Sequence, residues 1–341
     1  MLTFIIGTGR CGSTLLTELV ARHPDVGFVS NLDDKLPRLD LKGRWNKTLF
    51  THSEPRDPSL RAFRNRRHPL ELARLRIAPS EGWELLERQV SSILPRPCRD
   101  LTDVDATPWL VQRLRSFFLE RQQVQGTSVF MHHVTGWPRV GLLRKAFPDA
   151  RFVHVVRDGR AVANSWLQVG WWDGYAGPAN WYLGPLPERE RAVWDESRRD
   201  FVVLAGLGWQ LLLDAFDTAR SQVPPGQWMD LRFEELIAAP RANISRLLGF
   251  LDLDWTAAFE AGFARHTFER GRGTAWQRDL GPAAIHRLEE AIGDSLTRHG
   301  YPLSHDAVKP GRPNSSAMNP AGYQVGSLTS TALAGPAPQV R

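Results

Sequence analysis

Apolar residues along the chain follow two alternating rhythms. Short runs rich in β-branched residues, LTFIIG at 2–7, SVFMHHV at 128–134 and ARFVHVVRD at 150–158, are bounded by turn residues and read as strands buried in a parallel sheet. Between them lie stretches with helical spacing. Ser13 to Arg22 carries Leu15, Leu16, Leu19 and Val20 on one side, and PRVGLLRKAF (138–147) and GRAVANSWLQV (159–169) follow the other two strands. HPDVGFVSN (23–31) returns towards the sheet. Further on, an apolar helix at about 201–219 precedes the strand QWMDLRF, one helix over EELIAAPRANISRLLGFL (234–251), and a closing amphipathic helix at 282–300. This alternation predicts an α/β protein of three layers around a central parallel sheet.

Two segments break the rhythm. Residues 33–125 are richer in Pro, Arg and isolated Trp, with short helical patterns at Glu84–Ile93 and Pro108–Gln122, and read as a lid or insertion. Beyond about residue 305 the chain is poor in bulky apolar side chains and rich in Pro, Gly, Ser and Ala, so it cannot offset the entropy of ordering. The expected organisation is one domain over 1–304, containing the lid, and a disordered tail over 305–341.

Composition narrows the partners. The 341 residues carry a net charge of +6, mostly from arginine, which favours anionic ligands. The densest basic run, Arg61, Arg64, Arg66, Arg67, Arg74 and Arg76, has no interleaved aromatics and no nucleic-acid-binding motif beside it. It reads as a solvated face, and no nucleic-acid partner is expected. The two cysteines, Cys11 and Cys98, suggest neither a disulfide framework nor a metal site. Phe201–Phe216, the most apolar stretch, is interrupted by Gln210 and Asp214, so no membrane span is expected. The opening MLTFIIG lacks the features of a leader, which points to a cytoplasmic location. Oligomeric state is not legible.

The candidate chemistry begins at FIIGTGRCGSTLL (4–16), a strand, a glycine-bracketed loop and a helix start. That order presents successive backbone N–H groups, reinforced by the helix dipole, to an anion. Aligned on the triphosphate-binding pattern G-x-x-x-x-G-K-[ST], the loop puts Ser13 where the lysine belongs, and its positive side chain is Arg10. The arrangement suits a 5′-phosphate carrying one further anionic group, held by loop amides, the Ser13 and Thr14 hydroxyls and one guanidinium without a metal. Arg157 falls independently at the carboxyl end of a strand, where open α/β sheets place their ligands.

GTGRCGSTLL resembles the 5′-phosphosulfate loop of sulfotransferases that use 3′-phosphoadenosine 5′-phosphosulfate (PAPS), and the chain is similar to bacterial members from residue 2 to about 303. The resemblance implies a P-loop-like fold, a donor site at Gly9, Arg10, Cys11, Gly12, Ser13 and Thr14, and Arg10 as the catalytic cation. The family's second signature, an arginine and a serine eight residues apart that grip the 3′-phosphate, is matched by Arg157 and Ser165. RGRGTAW, with Arg270 and Arg272, stands where the family closes a basic loop over that phosphate, which makes Arg272 a further candidate ligand.

Two candidate bases follow from the resemblance. Cytosolic members use a histidine at the end of the strand preceding the 3′-phosphate strand. There His132 and His133 point to opposite sheet faces, and His133 is nearer the strand end. Other branches use a glutamate after the first helix and strand, where this chain offers FVSNLDD and therefore Asp33. Cys11, at a helix start beside an arginine, is positioned for a lowered pKa, or stands in for a small serine. Trp45, Trp83, Trp109, Trp137, Trp171, Trp172 and Trp181 lie outside the strands and either wall an acceptor cleft or pack the lid onto the core. The implied reaction moves a sulfuryl group from PAPS to a hydroxyl or amine of a small-molecule, carbohydrate or lipid acceptor, releasing 3′,5′-ADP. The rivals are a non-catalytic nucleotide-binding protein of the same fold and an ATP-dependent small-molecule kinase.

Overall fold

The computed structural model describes residues 1–304 apart from 37, 39–40, 52, 54, 56–76, 270 and 272. Its first half runs β1 (Leu2–Gly7), α1 (Ser13–Val20), β2 (Val26–Phe28), α2 (Asn31–Lys35), α3 (Asn46–Thr51), α4 (Trp83–Gln89), α5 (Pro108–Gln125) and β3 (Val129–Thr135). It continues with α6 (Val140–Ala146), β4 (Arg151–Val156), α7 (Gly159–Leu167), α8 (Glu188–Glu196), α9 (Phe201–Ser221) and β5 (Trp228–Arg232). α10 (Phe233–Ala238), α11 (Pro240–Phe250), α12 (Ala257–Phe263), α13 (Ala275–Leu280) and α14 (Pro282–Arg298) close the domain.

The strands form one parallel sheet in the order β2-β3-β1-β4-β5. β1 is therefore central, and every residue of it is buried. Alternation divides its side chains between two cores. Phe4 and Ile6 join Phe130 and Phe152 in a core with residues of α5, α6, α7, α9 and α14, while Ile5 joins Met131, Val153, Val155 and Leu231 in one with residues of α1, α11 and α12. Phe4 is fully buried, its ring centroid 5.5 Å from that of Phe118 and 5.7 Å from that of Phe152. Truncating such a residue to Ala costs about 3–5 kcal/mol.

Three sequence expectations are refined. α5, assigned to the insertion, is a sheet-covering helix, because Leu110, Leu114, Phe117 and Phe118 recur at helical spacing and enter the core beside Phe130. The helix expected over 234–251 is two helices broken at Pro240, which lacks an N–H and disfavours helical backbone at Ala239 (φ −136°). α9 is long and apolar enough to cross a membrane by length and composition, yet it is packed in the core, and Gln210 donates to Glu190 Oε1 at 3.4 Å. The proposed tail over 305–341 and the basic run over 61–76 lie outside the described residues.

Candidate functional site

A cleft of about 1030 Å³ opens at the carboxyl ends of the central strands. The β1–α1 loop forms its floor. Gly9 (φ 80°), Arg10 (φ 57°) and Gly12 (φ 100°) all take left-handed backbone, which curls the loop back on itself and favours glycine. A Cβ on Gly12 would stand 2.2 Å from the Phe233 ring, so this position also requires glycine for space. α1 starts from Gly12 without a side-chain cap, leaving its leading N–H groups available to an anion. Gly9, Arg10, Gly12, Ser13 and Thr14 all line the cleft.

On the β4 side, Arg157 follows the strand directly and Ser165 lies on α7. Arg10 Nε donates to Ser165 Oγ at 2.8 Å, and Arg157 Nη1 donates to the Arg10 carbonyl at 2.8 Å. The two sequence motifs therefore meet, although about 150 residues separate them. The Arg157 guanidinium lies 4.4 Å above the Phe233 ring. Burial pulls its pKa below the usual arginine value, and Glu234, Cys11 and Asp158 oppose that pull. A half-buried cation fixed in this way at the cleft wall is poised for an incoming anion. Asp158 caps α7 and pairs with Arg160, which also reaches Glu289 at 2.5 Å.

On the β3 side, the two histidines separate as alternation requires. His132 is packed against Phe4 and Phe118, neither ring nitrogen has a hydrogen-bond partner, and burial followed by the neighbouring His133 charge lowers its pKa to about 3. It is a core residue. His133 lines the cleft, its Nε2 hydrogen-bonded to Ser13 Oγ at 2.9 Å.

The second candidate base does not reach the cleft. Asp33 completes a capping box at the start of α2, where its Oδ2 accepts from Ser30 N (3.1 Å), Ser30 Oγ (2.8 Å) and Asn46 Nδ2 (2.9 Å). An acidic residue three positions after a serine satisfies the orphan donors of a helix start, and that requirement takes this carboxylate. Glu81 stands in the cleft instead, 3.9 Å from His133 Nε2 and accepting from Thr135 Oγ1. Its sequence signal was weak, since it lies about fifty residues past FVSNLDD, beyond α3. The available clue was the edge position of Ser-Glu-Gly before a helical run.

Cys11 is corrected too. Its thiol is fully buried beneath the loop and does not line the cleft; burial raises its pKa, against the smaller opposing effects of hydrogen bonds with Ser13 and Gly9. Burial and the raised pKa favour a small packing residue over a reactive thiolate. The tryptophans divide between both readings: Trp83 and Trp171 wall the cleft with Tyr182, Trp172 and Trp181 are buried in the core with Trp137 packed against it, and Trp45 and Trp109 are exposed. Arg270 and Arg272 lie outside the described residues. Among the described residues, no cluster of three His, Cys, Asp or Glu side chains could hold a metal ion.

Comparison with known proteins places the chain in a family. Residues 3–257 match the model of the Sulfotransferase family. The omega-hydroxy-beta-dihydromenaquinone-9 sulfotransferases Stf3 of Mycobacterium bovis and Mycobacterium tuberculosis are each 22% identical over 319 residues, spanning 87% of this chain and 74% of theirs. Among solved structures, the sulfotransferase domain from the curacin biosynthetic pathway superposes with a TM-score of 0.50 at 13% identity, covering 88% of this chain and 98% of that one. Sulfotransferase STF9 from Mycobacterium avium gives 0.49 at 17% identity over 88% of this chain and 77% of that one.

Proposed function

The chain belongs to the sulfotransferase family, and we propose that it moves a sulfuryl group from PAPS to a hydroxyl or amine acceptor, releasing 3′,5′-ADP. The observation that carries this reading is the joining of the two motifs: Arg10 bonds to Ser165 while Arg157 bonds to Arg10, at the uncapped start of α1. One phosphate end of a bisphosphorylated nucleotide suits the loop, and the other suits Arg157 and Ser165. The loop has Ser13 where a triphosphate site has lysine, which disfavours the kinase alternative.

Sulfuryl transfer asks the protein to align two oxygens and stabilise charge, with little covalent chemistry of its own. PAPS, when bound, supplies the sulfuryl group and a 5′-phosphate leaving group. The Arg10 guanidinium and the α1 N–H groups offset charge gathering on the leaving oxygen. Ser13, bonded to His133, adds a hydroxyl at the same place. Glu81 takes the acceptor proton, with His133 beside it. Trp83, Trp171 and Tyr182 form an apolar wall next to this carboxylate, suited to the ring or chain of a small-molecule or lipid alcohol. The Stf3 relatives, named for a hydroxylated menaquinone, are in line with such an acceptor.

Titration calorimetry tests the donor. Tight binding of 3′,5′-ADP that Arg157→Ala weakens about 10²-fold, with Mg²⁺-ATP weak, is expected. Preference for Mg²⁺-ATP would overturn the reading. Tight 3′,5′-ADP binding with no transfer to any acceptor would favour a non-catalytic nucleotide-binding protein.

A further inference from the structure

We propose that Thr135 is the positioning residue that sets the Glu81 carboxylate for proton transfer, an inference resting on the sulfotransferase reading above. Glu81 belongs to no helix or strand. The backbone around it is tied down by Asp34, which accepts from Ser80 Oγ at 3.2 Å and from Leu85 N at 3.0 Å, and by a bridge between Ser30 and Pro79. These bonds fix the loop but not the carboxylate. A glutamate side chain with only its backbone fixed samples many rotamers, and each unproductive one lowers the reacting population.

Thr135 supplies the missing constraint. It sits two residues after His133 on β3, so both point to the same face and away from the core face of His132. Its backbone is paired in register with Gly7 of β1, and its carbonyl accepts from Arg139 Nη1 at 3.1 Å. A β-branched side chain on so fixed a backbone is stiff about χ1. Its Oγ1 donates to Glu81 Oε1, the oxygen that lies 3.9 Å from His133 Nε2. One oxygen is thus anchored by a rigid donor, which leaves the other to face the acceptor. A Cβ on Gly9 would lie 3.7 Å from Thr135 Cβ, so the anchor also abuts the donor loop and relates the carboxylate to the phosphate site.

The arrangement is supported from behind. Arg139 is buried and gives its remaining donors to the carbonyls of Leu94, Pro95 and Trp137, joining the lid to the exit of β3. Through Arg139 the carbonyl of Thr135 is therefore tied to Leu94 and Pro95, in the same lid segment that carries Trp83.

The test compares Thr135→Val, which keeps the shape and removes the donor, with Thr135→Ser, which keeps the donor. ³⁵S-labelled PAPS and a panel of aliphatic and aromatic alcohols are the probes, and 3′,5′-ADP affinity is measured separately. Thr135→Val is expected to lower kcat about 10- to 100-fold, the effect of one hydrogen bond to a charged group, with 3′,5′-ADP affinity and acceptor KM nearly unchanged. Thr135→Ser is expected to restore most of kcat. Adding Thr135→Val to Glu81→Gln is expected to cost little more, because both act through one carboxylate.

An unchanged kcat in Thr135→Val, a Ser variant as poor as Val, or a parallel loss of 3′,5′-ADP affinity would each overturn the assignment while leaving the sulfotransferase reading intact. Should the Val variant fail to fold, Thr135→Ala read against Thr135→Ser decides by the same criteria. If the wild type binds 3′,5′-ADP but sulfates no alcohol of the panel, the alcohol-acceptor reading fails and this assignment fails with it.

Discussion

The two sides of the cleft are held by opposite means. On the β4 side a half-buried cation is stacked on an aromatic ring: Arg157 lies over Phe233 and is bonded to the loop backbone. On the β3 side a carboxylate stays partly exposed and is fixed by a hydroxyl and a neighbouring imidazole. The first arrangement suits binding, since a charge already held in place spends little on reorganisation when its counter-ion arrives. The second suits proton transfer, which needs an ionisable group whose position is fixed while its proton is not.

That contrast can be broken most sharply at Glu81. Glu81→Gln is expected to lower kcat about 10²- to 10⁴-fold, the range of general-base catalysis, while 3′,5′-ADP binding measured by calorimetry stays as in the wild type. If nucleotide affinity falls as far as kcat, the two sides are not separable. Arg157→Ala should give the converse result: about 10²-fold weaker 3′,5′-ADP binding, the loss of a charge-assisted pair of hydrogen bonds. Unaltered affinity in that variant would mean the stacked cation serves the fold alone.

A smaller effect separates the two faces of β3. Folded His132 has a pKa of about 3, and burial is the main cause, while the unfolded imidazole titrates near the ordinary value of about 6.5. Between those values the unfolded chain binds more protons, so stability falls as pH falls through the window, by up to about 1.4 kcal/mol per pH unit. His132→Phe should remove that slope in urea titrations at pH 7, 6 and 5. A slope identical to wild type would mean that His132 does not remain neutral in the fold. The least disruptive probe is thiol labelling, where Cys98, which is exposed, should react rapidly and Cys11 only on unfolding. Labelling of native Cys11 would show that the loop opens.

The same contrast explains what the sequence made legible. Arg157 and Ser165 stand on one strand-to-helix unit, and the loop over 7–14 on another, so the local geometry of each unit fixes its motif before any tertiary contact is known. The parallel sheet was legible for a similar reason, since short β-branched runs bounded by turn residues mark its strands, whereas the order that makes β1 central depends on pairing between distant segments. The carboxylate facing the acceptor wall was not. Glu81 reaches the cleft because residues 78–80 pair with residues 29–31, about fifty positions earlier, and a contiguous reading of the chain offered Asp33 in its place. Pairwise proximity across a lid leaves no periodicity to detect. Asp33 had instead the spacing of a capping box after Ser30, a local pattern that the structure honours.

The seat of Cys11 also ties two positions together in sequence change. A Cβ on Gly7 would lie 2.5 Å from the Cys11 Sγ and 2.9 Å from the Val155 carbonyl, so the thiol occupies space that only a glycine leaves open. Drift at residue 11 towards anything bulkier would press on the last residue of the central strand, and drift at residue 7 would press on both the thiol and β4. The pair therefore forms a single steric unit beneath the β1–α1 loop, in which one member can vary only within the room left by the other.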